Sequence, residues 1–157
     1  MTEKAIAPGS GTRLRSMYQR YLVVAGLVLL VVLPVVFGTA FITAKGQTII
    51  TVAVGMVAAV VSETLLIAAL MRGRTSVAAD VLSLPSMRFS GALALGAEVA
   101  GWGGALGALT LGMIQRMSDI NLAFTMGIAA AIGAMFPAVL SGAARRLSQR
   151  LTAGPDA

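Results

Sequence analysis

Four long apolar runs, separated by short polar stretches, make up most of the chain. They occupy residues 21–44, 48–71, 91–114 and 121–144. A helix of about 20 apolar residues crosses a bilayer core about 30 Å thick, so each run predicts one membrane span. The polar stretches carry the matching stop and start signals. Gly46 follows the first run and suits the left-handed conformation at a helix C-terminus. Thr48 is placed to cap the second helix, and Arg72, Gly73 and Arg74 end it. Pro85 breaks the linker of about 72–90, and Ser90 is placed to cap the third helix. Ser118 and Asp119 stand where the fourth helix needs its cap. The first run is too long for the apolar region of a signal peptide, and no small-residue cleavage site closes it. No repeat with a period of 20–50 residues is visible.

The predicted fold is all-α: a polytopic membrane protein of four transmembrane helices. Residues 1–18 read as a flexible basic segment, 19–144 as the transmembrane domain and 145–157 as a basic tail. Composition narrows the function. Hydrophobic residues are 57% of the chain and charged residues 11%, against about 25% charged in soluble domains. An ordinary soluble enzyme domain is excluded, and so is a disordered tail. There is no Cys and no His, which excludes disulfide frameworks, Cys/His zinc sites, Cys nucleophiles and Ser-His-Asp triads. No phosphate-binding loop and no metal or cofactor box is present. The expectation is a non-enzymatic protein with no cofactor and no nucleic-acid partner. Met56, Met113, Met117, Met126 and Met135 suit irregular packing between helices.

The distribution of charge predicts orientation. Lys4, Arg13, Arg15 and Arg20 precede the first span, Arg72, Arg74 and Arg88 lie between the second and third, and Arg145, Arg146 and Arg150 follow the fourth. Only Lys45 and Arg116 fall on the other side. Basic residues concentrate in cytoplasmic segments, so the N- and C-termini and the middle linker are predicted to be cytoplasmic. The expected setting is the inner (plasma) membrane. The Arg-rich tail is also suited to anionic headgroups.

Of the six acidic residues, Glu3, Asp80, Asp119 and Asp156 sit in termini or linkers. Glu63 and Glu98 lie inside spans, where an ionisable group is costly and marks function by default. Counting from Met71 and Gly91 at about 1.5 Å per residue puts both at about the same depth, roughly 10–12 Å from the cytoplasmic ends. A short linker favours the second and third helices as antiparallel neighbours. The two glutamates are therefore expected to approach each other or to line one polar cavity. Two carboxylates in low dielectric cannot both ionise cheaply. Such a pair is a candidate site for binding and releasing a proton or cation. No cationic partner is expected at that depth. Ser62 and Thr64 flank Glu63, and Trp102 stands one turn from Glu98.

Small residues mark candidate packing faces. Gly103 and Gly107 form a G-x-x-x-G pair. Ala97, Gly101 and Ala105 repeat at intervals of four, as do Ala129, Gly133, Pro137 and Ser141. Small side chains let helix backbones approach closely in lipid, so the third and fourth helices are expected to pack tightly, against each other or across subunits. Pro34 and Pro137 fall within spans and are candidate kinks.

The glycine-spaced stretch from Gly104 to Met117 and the Ala-, Thr- and Gly-rich stretch from Leu122 to Leu140 resemble the paired core helices of the MotA/TolQ/ExbB proton-channel family. The resemblance covers about 50 of the 157 residues. Members of that family form rings around the helices of a partner, which supplies the key carboxylate. The resemblance implies a homo-oligomer with other membrane subunits, with Thr110 and Thr125 as pore-lining candidates. The expected function is conduction or coupling of ions, protons by preference, with Glu63 and Glu98 as protonatable sites. The alternatives are a non-catalytic assembly or scaffold subunit and a small-solute transporter.

Overall fold

The computed structural model describes residues 10–78, 84–115 and 120–153. They form four α-helices: α1 (Ser10–Thr43), α2 (Thr48–Ala78), α3 (Leu84–Gln115) and α4 (Ile120–Ala153). Among the described residues there is no strand. All four helices are long and apolar enough to cross a membrane, over Val23–Thr43, Thr48–Gly73, Arg88–Gln115 and Leu122–Arg150. The chain is an all-helical, multi-pass membrane protein of four spans.

The helices overrun the apolar runs at the basic end. α1 begins at Ser10, inside the segment 1–18 expected to be flexible. α2 reaches Ala78 and α3 starts at Leu84, so helix takes up most of the expected linker. α4 continues to Ala153 through most of the expected tail. Once a helix exists, each added residue gains a hydrogen bond without a new nucleation cost, so helix runs on past the apolar stretch. Pro85 is the second residue of α3, where its missing N–H costs nothing, so it starts the helix rather than breaking a linker. Ser90 lies more than a turn inside α3. Its hydroxyl donates to the Ala69 carbonyl of α2 at 2.7 Å, tying two helices together instead of capping one. Ser118 and Asp119 lie outside the described residues.

The turn between α1 and α2 matches its glycine signal, while Thr48, the first residue of α2, bonds back to Lys45 instead of capping the helix. Gly46 has φ 58°, the left-handed region that glycine enters without strain. The Thr48 hydroxyl accepts from the Lys45 N–H at 2.9 Å and donates to the Lys45 carbonyl at 2.7 Å.

α2 and α4 form a central pair. α3 packs on one flank of that pair and α1 on the other, and α1 and α3 do not touch among the described residues. The α2–α3–α4 seam is built from small residues. A Cβ added at Gly104 would overlap the Ala58 Cβ. At Gly101 it would lie 2.6 Å from the Ala138 Cβ, and at Gly55 2.8 Å from the Ala130 Cβ. At Gly112 it would lie 2.9 Å from both the Ala123 carbonyl oxygen and the Gly127 Cα. The expected tight packing of the third and fourth helices is present, and α2 takes part in it.

The glycines that create the seam differ from those expected. Gly103 is exposed, and an added Cβ there would meet nothing within 4 Å. At Gly107 the Cβ would make only an ordinary contact, 3.8 Å from Val54 Cγ1. The seam follows Gly101, Gly104, Ala108 and Gly112, whose steps of three, four and four keep one face of a 3.6-residue helix inward. Gly103 is turned about 100° from Gly104 and faces out. Gly133 is a packing residue, but its neighbour is α1: an added Cβ would lie 2.6 Å from the Phe37 ring.

Candidate functional site

The Ser62 hydroxyl donates to the Ala97 carbonyl at 2.5 Å. This bond sets α2 beside α3 with Glu63 and Glu98 each one residue away, so the two acids lie at nearly the same depth, as their spacing predicts. Their surroundings differ, however. Glu63 is half-buried and lines a groove between α1 and α2, walled by Gly26, Leu29, Leu66, Ile67 and Leu70. The groove continues toward the opposite end of the bundle past Leu33, Pro34 and Met56. Among the described residues Glu63 has neither a hydrogen bond nor an ion pair.

Glu98 lies against α4. Its Oε2 is 3.1 Å from Arg145 Nε, with the glutamate side chain 23% exposed and the arginine 34%. Neither atom makes an aligned hydrogen bond, so the contact is a charge pair only. The carboxylate rests over Gly142, where an added Cβ would lie 3.1 Å from Oε1. Two expectations are corrected here. Among the described residues, the grooves that Glu63 lines do not include Glu98, because one residue of helix rotation turns Glu63 to α1 while Glu98 turns to α4. A cation is present at their depth, because α4 stays helical past residue 144. Arg145 then falls one turn beyond buried Ser141, on the same inward face. The signal was present in the sequence: Ala134, Ala138, Ser141 and Arg145 continue one stripe at intervals of three and four.

This arrangement separates the two acids chemically. Arg145 balances the charge of Glu98 within the chain. Glu63 is left with apolar neighbours in a groove on the membrane-facing surface, where an unpaired ionisable group is most costly. It is therefore an intramembrane acid left without a counter-charge among the described residues.

The threonines expected to line a pore are both exposed. The Thr110 hydroxyl donates to the Leu106 carbonyl of its own helix at 2.8 Å. In a single chain Thr110 and Thr125 face outward, so any pore they line lies between chains. A polar link not anticipated from the sequence joins α2 and α3 at the end away from the Arg-rich one. There the Thr51 hydroxyl donates to Gln115 Oε1 at 2.7 Å, and Gln115 Nε2 donates to the Gln47 carbonyl at 3.1 Å. No group of three metal-ligating side chains occurs among the described residues. No protein-family model, no curated protein and no solved structure matches the chain.

Proposed function

We propose that this four-span protein is a subunit of the inner (plasma) membrane that conducts or couples ions, protons by preference, with Glu63 as the protonatable group. One observation carries the reading: Glu63 is an intramembrane acid in an apolar groove, unpartnered among the described residues, while Glu98 is balanced by Arg145. Glu98 then serves to hold α3 on α4. The route does not run through the centre of one chain, because backbone-close contacts at Gly55, Gly101, Gly104 and Gly112 leave no space between α2, α3 and α4 at those levels. It runs along the α1/α2 groove, at an interface with further copies or with another membrane subunit. The resemblance to the MotA/TolQ/ExbB family supports such a ring-like assembly.

The test is proton flux into liposomes containing the purified complex. Glu63→Gln should abolish flux, while Glu98→Gln should retain it with a less stable protein. Equal flux in wild type and Glu63→Gln would sink the proposal. The same closed seam favours a second reading, a non-catalytic assembly subunit, since it leaves the single chain without a passage of its own. Co-purification with one large membrane enzyme, and no flux from either wild type or variant, would select that reading.

A further inference from the structure

We propose that the groove between α1 and α4 is a binding site for one anionic phospholipid, with an acyl chain in the groove and the phosphate at Arg146 and Arg150. The groove is apolar and membrane-facing, lined by Val28 of α1 and by Ile132, Met135, Phe136, Val139 and Leu140 of α4. The Tyr21 hydroxyl donates to the Leu140 carbonyl, which ties α1 to α4 where the groove meets the Arg-rich end.

Helix geometry continues this groove into two cations. At about 100° per residue, the lining residues of α4 span an arc of roughly 140°, and Arg146 and Arg150 both fall inside it. Both are exposed. Their immediate neighbour Arg145 points to the other side of α4, into Glu98. The Nε of Arg146 donates to the Gly142 carbonyl at 3.2 Å, one turn nearer the membrane centre. That bond leaves the terminal guanidinium nitrogens free to meet a phosphate just beyond Leu140. Ile132 to Arg146 spans about 21 Å at 1.5 Å per residue, enough for most of an extended acyl chain below its headgroup. Charge complementarity selects the occupant. Glu98, the acid on the neighbouring stretch of α3, is already paired, so the charges of Arg146 and Arg150 have no acidic partner among the described residues.

The experiment is native mass spectrometry of the full chain in mild detergent, titrated with dioleoyl-phosphatidylglycerol or dioleoyl-phosphatidylcholine. A surface-close arginine contributes about a fivefold preference for an anionic lipid, so two predict a roughly 25-fold preference for phosphatidylglycerol. Arg146→Gln and Arg150→Gln should each remove about fivefold, and the double variant should bind both lipids alike. Arg88→Gln, on α3 at the same end of the bundle, should leave the preference unchanged. Val139→Trp, which fills the groove without altering charge, should lower retention of both lipids. Equal retention of the two lipids by wild type would overturn the site. So would an unchanged preference in the double variant, an equal loss in Arg88→Gln, or a polypeptide adduct held in the lipid's place.

Discussion

α3 and α1 flank the same central pair, yet they are held in opposite ways. α3 is seated by close backbone approach and by polar bonds. Gly101, Gly104 and Gly112 bring it against α2 and α4, and Ser62, Ser90 and Glu98 add contacts across the interfaces. α1 rests on larger side chains, with Leu29, Leu33 and Phe37 buried at every fourth position. The Phe37 ring packs onto Gly133 of α4, and Tyr21 ties α1 to α4. Large side chains hold two helices further apart than glycines do, and the gaps beside them become grooves. Two lipid-facing grooves border α1, one holding Glu63 and the other leading to Arg146 and Arg150. The α3 flank provides rigidity, and the α1 flank provides surfaces open to a partner, a lipid or a proton.

Substitutions can break this contrast. The largest effect is expected at Gly104. Gly104→Val places atoms where Ala58 already lies, and overpacking of this kind costs about 3 kcal/mol or more when backbones must separate. The adjacent Gly103→Val meets open space and should change stability by no more than about 0.5 kcal/mol. Reversible unfolding in mixed micelles measures both, and equal losses would show that the seam does not follow the Gly101–Gly112 face. Next comes Arg145→Gln, which strands the charge of Glu98. The pair is partly exposed, so the loss should fall between surface and buried values, about 1–2 kcal/mol. Adding Glu98→Gln should recover much of that loss, and a double-mutant cycle with no coupling would remove the pair as a clamp of α3 on α4. The smallest effect, opposite in sign, is expected on α1. At Gly26 an added Cβ meets nothing, so Gly26→Ala should stabilise by about 0.5–1 kcal/mol through helix propensity alone. A destabilising Gly26→Ala would show that α1 is packed as closely as α3.

Much of the architecture was legible because lipid imposes simple rules. Backbone hydrogen bonds must close within each span, so an apolar run of membrane-crossing length can only be a helix. The four spans, the left-handed Gly46 and the common depth of Glu63 and Glu98 all follow from such local features. The site was legible only in part. The depth of each acid was readable by counting, but its direction was not. Direction depends on which helix lies beside the residue, and a rotation of about 100° separates adjacent positions. Gly103 faces out of the single chain for the same reason: the G-x-x-x-G spacing names a face without saying what covers it.

The chain by itself determined that this protein is four apolar helices with ten of its twelve cations gathered at one end and two acids at one depth. Tertiary structure decided which acid is paired. It carried α4 as helix past residue 144 so that Arg145 meets Glu98, and it set α1 on large side chains so that Glu63 is left in an open groove. Hydrophobicity and helix formation act within a segment and can be read there. The partners of a charge are fixed only when separate segments pack, because in lipid any of several faces can be buried at similar cost and close steric fit makes the choice.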